Sequence, residues 1–108
     1  MKIAFICGPY RGNLFQRIKH ILRARRAATA LWRAGYAVLC PHLNSALMNE
    51  QKGAFLEGYL TMLARCDIVV LLPGWLHSEG CLNEVSRAGE LKIPIIYSGD
   101  LLLTKETN

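Results

Sequence analysis

Glu84 is the residue whose placement most needs a chemical explanation. It closes Ser78-Glu79-Gly80-Cys81-Leu82-Asn83-Glu84, downstream of an apolar run from Ile68 to Leu72 that ends at Pro73-Gly74. Ser78 is a good N-cap, and the pattern predicts a helix from there to about Leu91, ahead of Ile93-Pro94. At roughly 100° per residue, Cys81, Val85, Ala88 and Leu91 share one stripe, and Glu84 lies inside it between the small residues Gly80 and Ala88. Glu79, Asn83, Ser86 and Glu90 take the outward positions. An inward carboxylate between two small residues, beside a helix N-terminus suited to anions, carries a desolvation cost and needs a reason. The plainer alternative is an i,i+3 ion pair with Arg87 at the edge of the stripe.

Two further loops offer polar groups. Gly8-Pro9-Tyr10-Arg11-Gly12 combines free amides, close backbone approach and a guanidinium, which suits a phosphate. It is neither a Walker motif nor a dinucleotide fingerprint, and Arg11 alone would ordinarily be a solvated turn residue. Pro41-His42-Leu43-Asn44-Ser45 presents His42 and Asn44. Ser78 and Gly80 form a second anion position, with capping as the other use of Ser78. A helix rises about 9 Å from Ser78 to Glu84, so a phosphate at one end would leave a sugar near the carboxylate. That spacing suits a nucleoside monophosphate. Trp75 is placed to stack on a base, or equally to make a lid-like or dimer contact.

The elements needed to position these groups are legible. Lys2 to Cys7 reads as a central strand, and Leu14 to Ala34 as a long helix with Phe15, Ile18, Ile21, Leu22, Ala28, Leu31 and Trp32 inward and Gly35 as its stop. Tyr36 to Cys40 is a second strand, followed by the loop at 41–45 and an irregular stretch at 46–52. Ala54 to Arg65 is a helix with Phe55, Leu56, Tyr59, Met62 and Leu63 inward. Ile68 to Leu72 and Ile93 to Tyr97 are the remaining strands, and 98–108 is left unassigned. This alternation predicts an α/β fold: a small doubly wound, flavodoxin- or Rossmann-like parallel sheet of four to five strands flanked by helices. Ligands bind such sheets outside the carboxyl ends of the strands, which selects the loops at 8–13, 41–45 and 73–80.

Composition bounds the rest. A chain of 108 residues, 52% hydrophobic, is expected to form one domain across 1–108. No apolar run reaches membrane-spanning length and the start lacks a signal-peptide pattern, so a cytoplasmic protein without a membrane partner is expected. Cysteines at 7, 40, 66 and 81 are scattered without metal-ligand spacing and read as small buried hydrophobes; no metal and no cofactor are expected. The net charge of +5 concentrates in Arg17, Lys19, Arg23, Arg25, Arg26 and Arg33, which spread over several helix faces without interleaved aromatics. That is the pattern of a solvated helix, and it argues against a nucleic-acid partner.

Taken together, Cys7-Gly8-x-x-Arg11-Gly12, Val38-Leu39-x-x-His42, and Asp67-Ile-Val-Val followed by Ser78-x-Gly80-x-x-x-Glu84 and Ala88 resemble the nucleoside 2-deoxyribosyltransferase superfamily. Within it the chain is most similar to 2′-deoxynucleoside 5′-phosphate N-hydrolases and their small, often phage-borne, relatives. The resemblance implies Glu84 as the nucleophile on an anomeric carbon, phosphate-binding groups at Arg11, Gly12, Ser78 and Gly80, and a base-contacting histidine at His42. It also implies a homo-oligomer, a dimer or larger, whose partner segment completes the pocket. An oxocarbenium-like transition state would be stabilised by a close carboxylate, and water or a second base would resolve the glycosyl ester. Two positions depart from the pattern: Tyr59 stands where the family has an aspartate that assists the leaving base, and Phe5 where it tends to have a tyrosine. Either Tyr59 or His42 then handles the proton, or the chemistry differs, or the protein binds a nucleotide without cleaving it. Asp67 is expected to cap and position the preceding turn.

The expected function is cleavage of the N-glycosidic bond of a (deoxy)ribonucleoside 5′-monophosphate, by hydrolysis or base transfer. Its catalytic residues are Glu84 and Tyr59, and Gly8, Tyr10, Arg11, Gly12, His42, Asn44, Trp75, Ser78 and Gly80 bind substrate. Alternatives are a non-catalytic nucleotide sensor, favoured by Tyr59 and Phe5, a basic nucleic-acid adaptor, and a lysine-decarboxylase-like phosphoribohydrolase. The last is echoed by Pro73-Gly74 and Gly80-Cys81-x-x-Glu84, with extra residues in between.

Overall fold

The computed structural model describes residues 1–44 and 52–100. Four short strands, β1 (Ile3–Cys7), β2 (Ala37–Leu39), β3 (Ile68–Leu71) and β4 (Ile95–Tyr97), form an all-parallel sheet in the order β2-β1-β3-β4. Helix α1 (Leu14–Arg33) connects β1 to β2, and α2 (Pro41–Asn44) and α3 (Lys52–Leu63) lie between β2 and β3. A 3₁₀ turn (Trp75–His77) and α4 (Glu79–Glu90) then lead to β4. The chain leaves β1 toward β2 on one side and later returns to place β3 on the other, so the order switches at the carboxyl ends of β1 and β3.

Alternation along the central strands sorts the core into two layers. Ala4 and Ile6 of β1 with Ile68 and Val70 of β3 pack against Ala24, Ala27, Ala28 and Leu31 of α1. Phe5 and Cys7 with Val69 and Leu71 face the opposite way, toward Tyr59 and Leu63 of α3 and Cys81 and Ala88 of α4. Both faces of the sheet are therefore covered, as doubly winding requires. The same alternation aims Cys7, the last residue of β1, at α4.

The termini of α1 follow local chemistry. Asn13 Oδ1 accepts from the Gln16 amide at 2.8 Å while Gln16 Oε1 accepts from the Asn13 amide at 2.9 Å, a reciprocal capping box. At the far end Gly35 takes φ 95°, the left-handed stop expected of it.

The inward face expected for α1 is corrected. Phe15, Ile18, Leu22 and Trp32 are exposed, and alanines with Leu31 make the contact instead. A 20-residue helix is about 30 Å long, whereas a five-residue strand spans about 17 Å, so only the C-terminal half has sheet beneath it. Alanines there let the helix approach closely. Smaller corrections concern Met62 and Leu91, which are exposed, and residues 41–44, which form a helical turn where a loop was expected. Pro41 opens that turn, where its fixed φ and missing amide are tolerated. Of the irregular stretch expected at 46–52, only Lys52 is among the described residues, and it begins α3. Ser45 of the second loop and residues 101–108 of the unassigned tail also lie outside them.

Asp67 sits at the amino end of β3, away from the carboxyl-end loops. Its Oδ2 accepts from the Ile3 amide at 2.6 Å and its own amide donates to the Ile3 carbonyl at 2.8 Å. It fastens the starts of β1 and β3 to each other, in place of capping the preceding turn.

Candidate active site

The three loops selected at the carboxyl ends meet at Pro9. His42 Nε2 lies 3.0 Å from the Pro9 carbonyl, which can only accept, so that nitrogen carries the proton. A Cβ on Gly74 would stand 3.2 Å from Pro9 Cγ, which brings the third loop against the first. The rings of Tyr10 and His42 meet edge-on, with centroids 5.8 Å apart. His42 is buried, and burial lowers its pKa, so it stays neutral near pH 7. Its Nδ1 is buried without a hydrogen-bond partner among the described residues.

Glu84 is only 9% exposed, and the inward phase read from the helix pattern is the observed one. Its partner is Cys7, whose Sγ lies 3.2 Å from Glu84 Oε1. The same sulfur is 3.8 Å from the Cys81 carbonyl. A thiol has one proton, and the shorter contact to a potentially charged oxygen is the stronger place for it. Burial pushes the Glu84 carboxyl up to about 7, partly offset by the Cys7 bond. The Cys7 thiol is pushed far up by its contact with Cys81, by burial and by the Glu84 charge, so it is not a thiolate nucleophile. Of Cys7 and Glu84, the carboxylate is the group that ionises near neutral pH. The Arg87 ion pair considered from sequence forms with Glu90 instead, at 2.9 Å and in solvent.

Ser78 caps α4, its Oγ accepting from the Cys81 amide at 3.3 Å. Gly80 is exposed one turn before Glu84, and Trp75 is half-buried against the layer that holds Cys7, Cys81 and Tyr59. Trp75, with Leu76 and Tyr97, also borders a hollow of about 210 Å³ beside the ends of β3 and β4; Glu84 is not among the residues lining it. Tyr59 is buried on the α4 side of the sheet, its hydroxyl 3.3 Å from Asn44 Nδ2 and 3.5 Å from the Pro41 carbonyl. Asn44 and Tyr59 thus belong together, joining α2 to α3. Phe5 is fully buried in the same layer as Tyr59.

Two glycines of the first loop have structural reasons to be glycine. A Cβ on Gly8 would fall 2.7 Å from Leu72 Cδ1 and 2.8 Å from its Cβ. Gly12 holds φ 140° immediately before the Asn13 cap, where a side chain would strike Gln16. Arg11 and Gly12 lie exposed at the rim, and no described ion pair holds Arg11. Sequence reasoning missed Cys7 and Cys81 as members of the site. The available signals were that Cys7 ends the central strand and that Cys81 precedes Glu84 by one turn.

A parallel α/β sheet with a buried carboxylate at the switch between its two central strands defines a Rossmann-like protein with the fold of the nucleoside deoxyribosyltransferases. Among solved structures, a 2-desoxiribosyltransferase from Leishmania mexicana matches 90% of this chain with a TM-score of 0.67 and 15% identity. The chain spans 63% of that protein's length, and the likeness is one of fold. The chain belongs to the DUF4406 family, described as a domain of unknown function, whose model matches residues 2–97. The curated proteins contain no significant match. No described helix is long and apolar enough to cross a membrane.

Proposed function

We propose that this protein cleaves the N-glycosidic bond of a (deoxy)ribonucleoside 5′-monophosphate, with Glu84 as the nucleophile. The observation that carries the reading is a nearly buried carboxylate at the topological switch point, bonded by Cys7 and placed two turns beyond the start of α4. The Leishmania mexicana neighbour is a 2-desoxiribosyltransferase, which supports glycosyl transfer as the chemistry.

In this reading Glu84 attacks C1′, the C–N bond breaks, and its electron pair leaves with the base, which takes up a proton. The carboxylate is now a glycosyl ester; water releases the sugar phosphate, or a second base captures the sugar. Arg11, with the amides near Gly12, Ser78 and Gly80, receives the phosphate, while Gly8, Tyr10, His42, Asn44 and Trp75 line the sugar and base positions. A neutral His42 whose Nε2–H already faces the Pro9 carbonyl is a poor acid, which leaves the Tyr59 hydroxyl as the better proton donor. The resemblance to nucleoside 2-deoxyribosyltransferases implies a homo-oligomer, a dimer or larger, which sedimentation would test.

Incubation with a panel of ribo- and deoxyribonucleosides and their 5′-monophosphates, followed by chromatography for free base, tests the reading. Addition of a second base separates transfer from hydrolysis. Tyr59, standing where the resemblance places an aspartate, is the observation favouring a second reading, a nucleotide sensor. Monophosphates that raise the melting temperature with no base released would establish that one.

A further inference from the structure

We propose that Cys7, Cys81 and Glu84 form a binding site for a thiophilic divalent cation of the Zn²⁺ class. One sulfur from each cysteine and one carboxylate oxygen all lie within 4.8 Å of one another. The donors come from two elements, the end of β1 and the first two turns of α4, and the cysteines are only 1% and 2% exposed. Sequence spacing hid the set, because Cys7 and Cys81 are 74 positions apart.

The geometry is close to what such an ion needs. Bonds of about 2.3 Å to sulfur and about 2.0 Å to oxygen place tetrahedral ligand atoms roughly 3.5–3.8 Å apart. Cys7 Sγ and Glu84 Oε1 already stand at 3.2 Å, so small rotations of the three side chains complete three corners. The fourth is left for water or a small anion. Two sulfurs and one oxygen select a borderline-soft ion over Mg²⁺ or Ca²⁺, which take oxygen ligands. Binding exchanges the two thiol protons for the metal, and a buried carboxylate now held by one weak S–H bond gains a cation. The other cysteines are set apart: Cys40 packs in the α1 layer, and Cys66 Sγ turns to the Met62 carbonyl at 3.4 Å.

Co²⁺ titration of the reduced protein supplies the test, with Zn²⁺ competing for the same site. The expected result is one ion per chain, with a thiolate-to-cobalt charge-transfer band and tetrahedral d–d absorption, both abolished by Zn²⁺. Cys7→Ser and Cys81→Ser should each weaken binding at least tenfold, while Cys40→Ser and Cys66→Ser leave it unchanged. Metal-free melts establish first that each variant folds. Glu84→Gln keeps both thiols and should retain the charge-transfer band with lower affinity, a result independent of whether the cysteine variants are stable. Absence of the band from wild type, its unchanged persistence in folded Cys7→Ser or Cys81→Ser, or unchanged affinity in Glu84→Gln would overturn the site. Zn²⁺ should also block base release reversibly by occupying the Glu84 oxygen. That consequence rests on the proposed catalytic reading, whereas the spectra test the site whether or not the protein is an enzyme.

Discussion

The Cys7 sulfur stands 3.2 Å from Glu84 Oε1, and this contact joins the last residue of the central strand β1 to the inner face of α4. It helps accommodate a carboxylate in a nearly closed layer, where burial raises the Glu84 pKa to about 7 and the Cys7 bond partly offsets that rise.

The first prediction concerns pH and activity. An ionised nucleophile with a pKa of about 7 makes kcat/KM for base release rise about tenfold per pH unit below 7 and level off above it, in the presence of a chelator. The Cys7 bond favours the ionised form, so Cys7→Ala should move that limb to higher pH. A profile unmoved by the substitution would show that the thiol does not act on Glu84.

The second concerns stability. The carboxyl's pKa rises from 4.5 to about 7 on folding, so the folded protein holds this proton more tightly than the unfolded chain. Its contribution is therefore fully present below about pH 4.5 and lost as pH rises through about 7. At about 1.4 kcal/mol per unit, the loss comes to roughly 3.5 kcal/mol. Glu84→Gln should remove this dependence and melt higher than wild type at pH 8, as followed by denaturant titration at several pH values.

The third concerns the first loop. Gly8→Ala would press a methyl group into Leu72, which is 2% exposed and has little room to turn away. A loss of about 1–3 kcal/mol is expected. Combining it with Leu72→Ala should cost less than the two single losses together, since the second change removes the obstacle.

The fourth concerns the phosphate. Arg11→Ala should raise KM for a nucleoside monophosphate by about 10- to 100-fold, the worth of a charge-assisted hydrogen bond, while leaving the unphosphorylated nucleoside nearly unchanged. Equal losses for both substrates would place Arg11 elsewhere in the mechanism.

The sheet was legible in the sequence because its central strands, covered on both faces, are written as unbroken apolar runs at Ile3–Cys7 and Ile68–Leu72. The inward phase of Glu84 was equally legible, because helical periodicity and the Ser78 cap are local signals. The packed face of α1 was not. Phe15, Ile18 and Leu22 make a convincing stripe, but periodicity carries no information about how far the sheet extends beneath a helix. Nor was the partner of Glu84 legible: Arg87 was the nearby charge, whereas Cys7 reaches it only through the order of strands and the alternation of β1. Tyr59 illustrates the same limit, since its contacts with Asn44 and Pro41 depend on how α2 and α3 pack.

The most direct test is base release by Glu84→Ala, measured on a monophosphate that wild type cleaves, with both proteins shown to fold by their thermal melts. The account predicts a loss of kcat of at least about 10³-fold, as expected when a nucleophile is removed. Base release continuing near the wild-type rate would contradict it.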